Sequence, residues 1–276
     1  MSVPAAHERG SRAGSEAGFR HSLFSSILLR MVSVTALLLG LGTMTTPAFA
    51  HYPWIIVTES DAAPAFRIHF GHRFPGDGRL APHQLDEVRI IEPDGRSRTL
   101  ALDDQELHPL VPLGAGTHLL AIAQLPAFWS RTIEGGRRAS REQYPDAFSC
   151  SQSVNTMKAV FGDGTGDSWR REQGHPLELL PLVNPSTLRT GDALAVRVTF
   201  HGEPWTGEVK ATYAGFEQQG EESYAVSVPT DSDGVARFVP ASEGHWLVRA
   251  FASEDYPDPR VCDRRSYTST LTFFVD

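Results

Sequence analysis

The chain is poor in cysteine, lysine and long apolar runs, and each shortage excludes something. Two cysteines in 276 residues cannot make a disulfide-dense mini-scaffold. Lys158 and Lys210 are the only lysines, so the 25 basic residues are nearly all arginine, and 33 acidic residues outweigh them to a net charge of −8. That balance lacks the excess of cations that a phosphate backbone demands, which excludes a nucleic-acid binder. No segment of 12 or more residues keeps a clean 3.6-residue apolar period, so a helical bundle has no basis. The G-x-S-x-G elbow, the phosphate loop ending in Gly-Lys-Ser/Thr, the H-E-x-x-H zinc motif and the C-x-x-C redox motif are all missing. No enzyme signature stands in their place, and the reading is of a protein that is not an enzyme.

The uninterrupted apolar runs are also too short for a membrane span of ~20 residues. The best of them, around Val34–Leu41, follows scattered arginines (Arg9, Arg12, Arg20, Arg30) and precedes Ala48-Phe49-Ala50. Charged, apolar and small-x-small segments in that order are a secretory signal peptide over residues 1–50, with cleavage after Ala50. Arg30 argues against a retained anchor starting at Leu23, so no transmembrane segment is expected after cleavage. Removal of the leader leaves 226 residues. Four arginines and two glutamates go with it, so the charge moves from −8 to −10. Export to a periplasmic or extracellular space permits a disulfide, and Cys150 and Cys262 are its only candidates.

Strand patterns fill the remainder. Phe66, Ile68 and Phe70 alternate with Arg67 and His69. Leu194–Phe200, Val209–Tyr213 and Trp246–Ala250 alternate likewise, between turn clusters such as Pro75-Gly76-Asp77-Gly78 and Asp231-Ser232-Asp233-Gly234. The expectation is an all-β chain of two antiparallel β-sandwich domains, residues 51–174 and 175–276, with a long polar loop at 135–150 in the first. Asp231–Gly234 looks like the opening of a calcium loop but lacks its downstream glutamate, and reads as a β-turn.

Of the histidines, His51 has a special position: cleavage after Ala50 makes it the mature N-terminus. Its α-amine and imidazole Nδ1 can then chelate one transition-metal ion, and nitrogen donors of this kind suit nickel, cobalt, copper and zinc. Pro53 has no amide hydrogen, so a square-planar site running back through successive backbone amides is closed off. Further ligands must come from elsewhere. His72 and His69 are nearest in sequence, although residues three apart on a strand face opposite ways unless Gly71 bends the chain. Asp77 could supply a weaker ligand, and His245 a remote one.

Four segments carry a family resemblance: His51-Tyr52-Pro53-Trp54; Phe70-Gly71-His72-Arg73-Phe74-Pro75-Gly76-Asp77-Gly78; His175-Pro176-Leu177-Glu178-Leu179-Leu180-Pro181; and Gly244-His245-Trp246-Leu247-Val248-Arg249-Ala250. In these the chain resembles the DUF4198 family of exported bacterial proteins, some of them described as periplasmic components of nickel or cobalt uptake systems. The resemblance implies an immunoglobulin-like or carboxypeptidase-regulatory-like second domain, with hairpins at 202–209 and 230–238. It also implies a Ni²⁺ or Co²⁺ site on His51 and His72, and delivery to a membrane transporter or receptor. Cu²⁺ is the alternative metal, because raw affinity at nitrogen sites favours it. A non-metal adhesion or scaffold module is the alternative role.

Overall fold

A computed structural model describes residues 51–59, 63–111, 113–217 and 223–276. The expected leader, 1–50, lies outside the described residues. The rest is built on strands, with three single-turn 3₁₀ helices and no α-helix among the described residues. The first half supplies β1 (Tyr52–Thr58), β2 (Ala65–Gly71), β3 (Leu85–Ile91), β4 (Ser97–Thr99), β5 (His108–Pro109), β6 (Thr117–Gln124), β7 (Ala127–Thr132), β8 (Gly135–Arg137) and β9 (Ser149–Gly162). The second supplies β10 (Leu177–Pro181), β11 (Leu194–Phe200), β12 (Glu203–Pro204), β13 (Glu208–Tyr213), β14 (Val226–Pro229), β15 (Val235–Phe238), β16 (Gly244–Asp255) and β17 (Arg264–Val275). The all-β class read from the alternation holds, and each alternating run is a strand.

The strands form a ten-stranded sheet, with a path β14-β13-β16-β17-β9-β6-β3-β4, and two smaller sheets, β1-β2-β5 and β10-β11-β12 with β15. Side-chain parity shows how they stack. On β6, Leu120 and Ile122 join Met157, Ala159 and Phe161 of β9 in a core against Ile55, Val57, Phe66 and Ile68 of β1 and β2. On the opposite face, Leu119 and Ala121 join Val160, Trp246, Val248 and Leu271 in a core with Leu179, Val196 and Val198 of β10 and β11. The large sheet is therefore a middle layer with a small sheet on each face, and its central strands are apolar on both sides, as doubly covered strands must be. Each valine, leucine, isoleucine, phenylalanine or methionine among them contributes about 1.5–3 kcal/mol by leaving water.

The boundary expected at Gly174 falls in the connection before β10, but the two halves share the middle sheet. They join where β9 and β17 run parallel, from Arg264 opposite Ser151 to Thr272 opposite Ala159. Phe49–Asp276 accordingly forms one compact unit.

Two local expectations change. The stretch 135–150 is not loop throughout, because Gly135–Arg137 pairs with Ser130–Thr132 as a hairpin before the loop begins. A side chain on Gly136 would collide with the Trp129 indole, so glycine is what lets that ring approach the hairpin backbone. The Asp231–Gly234 turn is a β-turn, closed by the Gly234 amide donating to the Asp231 carbonyl at 3.0 Å. Its flanking strands do not pair with each other: β14 pairs with β13, and β15 with β11. The Asp231 amide also donates to the Val235 carbonyl at 3.0 Å, so the 230–238 segment turns tightly there before its strands join different sheets.

Cys150 and Cys262 form a disulfide with a Cα–Cα distance of 5.0 Å. Around it, Arg141 donates to the Asp263 carboxylate at 2.6 Å, and the Cys150 amide donates to the same carboxylate at 2.7 Å. The clasp ties the start of β9 to the β16–β17 connection.

Candidate functional site

β1 and β2 are antiparallel, with Tyr52 opposite Gly71 and Thr58 opposite Ala65. His51 and His72 lie one residue beyond this last pair, just outside the two strands, and their rings are in contact. Their ring centroids are 4.3 Å apart. His51 is exposed and stacks on Phe70, whereas His72 is buried. Two imidazoles bound to one ion at about 2.1 Å have their centroids about 3.2 Å from it, so this separation suits neighbouring positions on a shared metal.

The loop after β2 is braced from several sides. The Asp77 carboxylate accepts the amides of His72 at 2.7 Å, Arg73 at 3.0 Å and Gly78 at 2.9 Å. Burial works to raise the Asp77 pKa. The three amide donors, helped by nearby His51, outweigh it and hold the carboxyl below its usual range. Gly71 is required here, since a Cβ on it would occupy the space of that carboxylate. The Trp54 indole donates to the Pro75 carbonyl at 2.9 Å, and Tyr52, Trp54, Phe74 and Leu247 bury one another beneath the loop. A loop held this way presents His72 in one orientation, which a ligand site needs.

His69 sits elsewhere. It is the rung partner of Trp54 and stacks on that indole, with centroids 5.7 Å apart and planes 17° from parallel. Its Nδ1 lies 3.4 Å from the Asp77 carbonyl oxygen, and burial lowers its pKa. Strand parity thus separates His69 from the His51–His72 pair, while Asp77 spends its carboxylate on the backbone. His245 lies on β16 with its ring edge-on to Phe274. Among the described residues, no three histidine, cysteine, aspartate or glutamate side chains are grouped to hold a metal ion. Among the described residues this end of the fold brings two imidazoles together, and the α-amine of a chain beginning at His51 would add a third nitrogen.

One neighbouring network had no signal in the sequence. Arg249 of β16 lies over the Tyr52 ring at 4.4 Å and donates to the Tyr224 hydroxyl at 2.8 Å, and that hydroxyl donates to Tyr52 at 3.1 Å. The alternation of Trp246, Val248 and Ala250 puts Arg249 on the other face of its strand. Only the packing of β1 over that face makes it a neighbour of the histidine end.

The fold and this end of it define an all-β protein that presents a cross-strand histidine pair on a braced loop. Residues 48–254 match the family described as domain of unknown function (DUF4198), and the chain belongs to that family. No curated protein matches it.

Proposed function

We propose that this protein binds a transition-metal ion, Ni²⁺ or Co²⁺, in the periplasm, and passes it to a membrane uptake system. The observation that carries the reading is the β1–β2 register, which brings His51 and His72 together at the end of the chain that signal-peptide cleavage would free. Once His51 is first in the chain, its α-amine and the two imidazoles make three nitrogen donors at that end. The amine, with an ordinary pKa of about 7.7–8.0, gives up its proton to a metal near neutral pH. Two features are compatible with export: the disulfide, and the lack of any helix among the described residues long and apolar enough to cross a membrane. Nickel or cobalt as cargo, and the transporter as partner, rest on the family resemblance.

Isothermal titration with Ni²⁺, Co²⁺ and Cu²⁺ tests this on a chain starting at His51, on one carrying an extra N-terminal residue, and on His72→Ala. Both changes are expected to weaken binding by more than the roughly 10–100-fold that loss of an outer-shell partner costs. Tighter Cu²⁺ binding is expected at any nitrogen site, so only Cu²⁺ binding with no measurable Ni²⁺ or Co²⁺ binding would favour copper as the cargo. Binding indifferent to both changes, or no binding, would sink the proposal.

A further inference from the structure

The β7–β8 hairpin carries surface chemistry that the histidine site does not use. At its tip Ile133 is 92% exposed; on β7 Trp129 is 51% exposed, and beside the hairpin Phe148 is 66% exposed. Phe148 is anchored there by its amide, which donates to the Arg131 carbonyl at 2.9 Å. Trp129 packs against Gly136 and leaves half of its surface to solvent. Between Ala127 and Arg138 there are three arginines and one glutamate. Arg137 pairs with Glu134 at 3.1 Å. Arg131 and Arg138 are exposed and make no ion pair among the described residues. The segment is thus net positive on a protein whose residues from 51 onward sum to −10.

We infer that this hairpin is a docking element for an anionic phospholipid surface. An indole and a phenyl ring beside arginines match the boundary between headgroups and acyl chains, where amphipathic rings settle and cations meet lipid phosphate. The exposed isoleucine distinguishes a bilayer from a polysaccharide, since a sugar-binding platform uses ring faces and has no use for an aliphatic tip. The acidic remainder is repelled by the same surface, so charge alone would orient the molecule hairpin-down. This inference does not depend on the metal site.

Because Phe49–Asp276 is a compact unit by itself, a chain starting at His51 is the test protein, free of the apolar leader. In co-sedimentation it is expected to bind phosphatidylglycerol-containing vesicles and not phosphatidylcholine vesicles, less strongly as salt rises. Arg131→Glu with Arg138→Glu should weaken binding by about tenfold or more, and Ile133→Asp, at a position without packing to lose, should weaken it comparably. A blue shift of fluorescence on binding that Trp129→Phe removes would place the indole in the interface. No binding to either vesicle, equal binding to both, binding unaffected by the Ile133 and arginine variants, or retention on an acidic polysaccharide without vesicle binding would overturn it.

Discussion

His175 shows what a single side chain can do in a layered β-protein. Its Nδ1 is buried with no hydrogen-bond partner among the described residues. Burial, reinforced by the nearby Lys158 ammonium, lowers its pKa to about 4. A histidine unfolded at about 6.5 and folded at about 4 favours the native state above pH 6.5 and loses that contribution as pH falls toward 4, because the unfolded chain takes the proton first. The melting temperature is therefore expected to drop between pH 7 and pH 5, and His175→Gln should flatten the drop. An identical decline in both proteins would show that other groups dominate. Gly71 offers a second residue-scale test. In Gly71→Ala the new methyl displaces the Asp77 carboxylate from three amides, and metal affinity should fall by roughly 10–100-fold, as when an outer-shell support is lost. Titration of this variant beside His72→Ala separates support from ligation.

Between elements, a buried ion pair bridges two layers. Lys158 of β9 donates to Glu178 of β10 and, at 3.1 Å, to the Leu179 carbonyl. Their side chains are 1% and 4% exposed. The Glu178 carboxylate also accepts the amides of Gln173 at 2.6 Å and Gly174 at 3.1 Å. Burial opposes its charge, but Lys158 and these donors prevail and lower its pKa. Lys158→Met would strand a carboxylate in an apolar layer and should cost about 3–5 kcal/mol in urea unfolding, whereas the double variant Lys158→Met with Glu178→Met should recover most of it. If the double variant is no more stable than the single, the pair is worth more than its isosteres. Nothing in the alternation of β9 announced this. Lys158 sits among Met157, Ala159 and Val160, and a lysine within an apolar run reads from sequence as a surface position until the partner strand is known.

At the scale of the whole molecule, the disulfide closes a segment spanning 112 residues and so restricts the unfolded chain strongly. Replacing both cysteines by serine is expected to cost about 2–5 kcal/mol, or roughly 5–15 °C in melting temperature, by calorimetry under non-reducing conditions. A change below a degree would mean that the Arg141–Asp263 contacts hold the loop unaided. The pairing itself could be proposed from cysteine arithmetic, because two cysteines leave one connectivity. Two adjoining sandwiches, by contrast, were the natural reading of a strand-rich chain with a glycine-rich stretch in the middle. Local patterns carry no information on which remote strands pair, and the parallel β9–β17 contact makes one sheet of both halves.

What the sequence determined alone is what short-range physics controls. Strand identity follows from alternation, and turns follow from glycine, proline and aspartate. The tertiary structure decided what depends on register and layering. The β1–β2 register joins His72 to His51 and turns His69 onto Trp54, because one residue along a strand reverses its face. The coverage of both sides of the middle sheet then puts Arg249 beside Tyr52 and Lys158 beside Glu178, contacts between residues whose separation in the chain exceeds the reach of any local pattern.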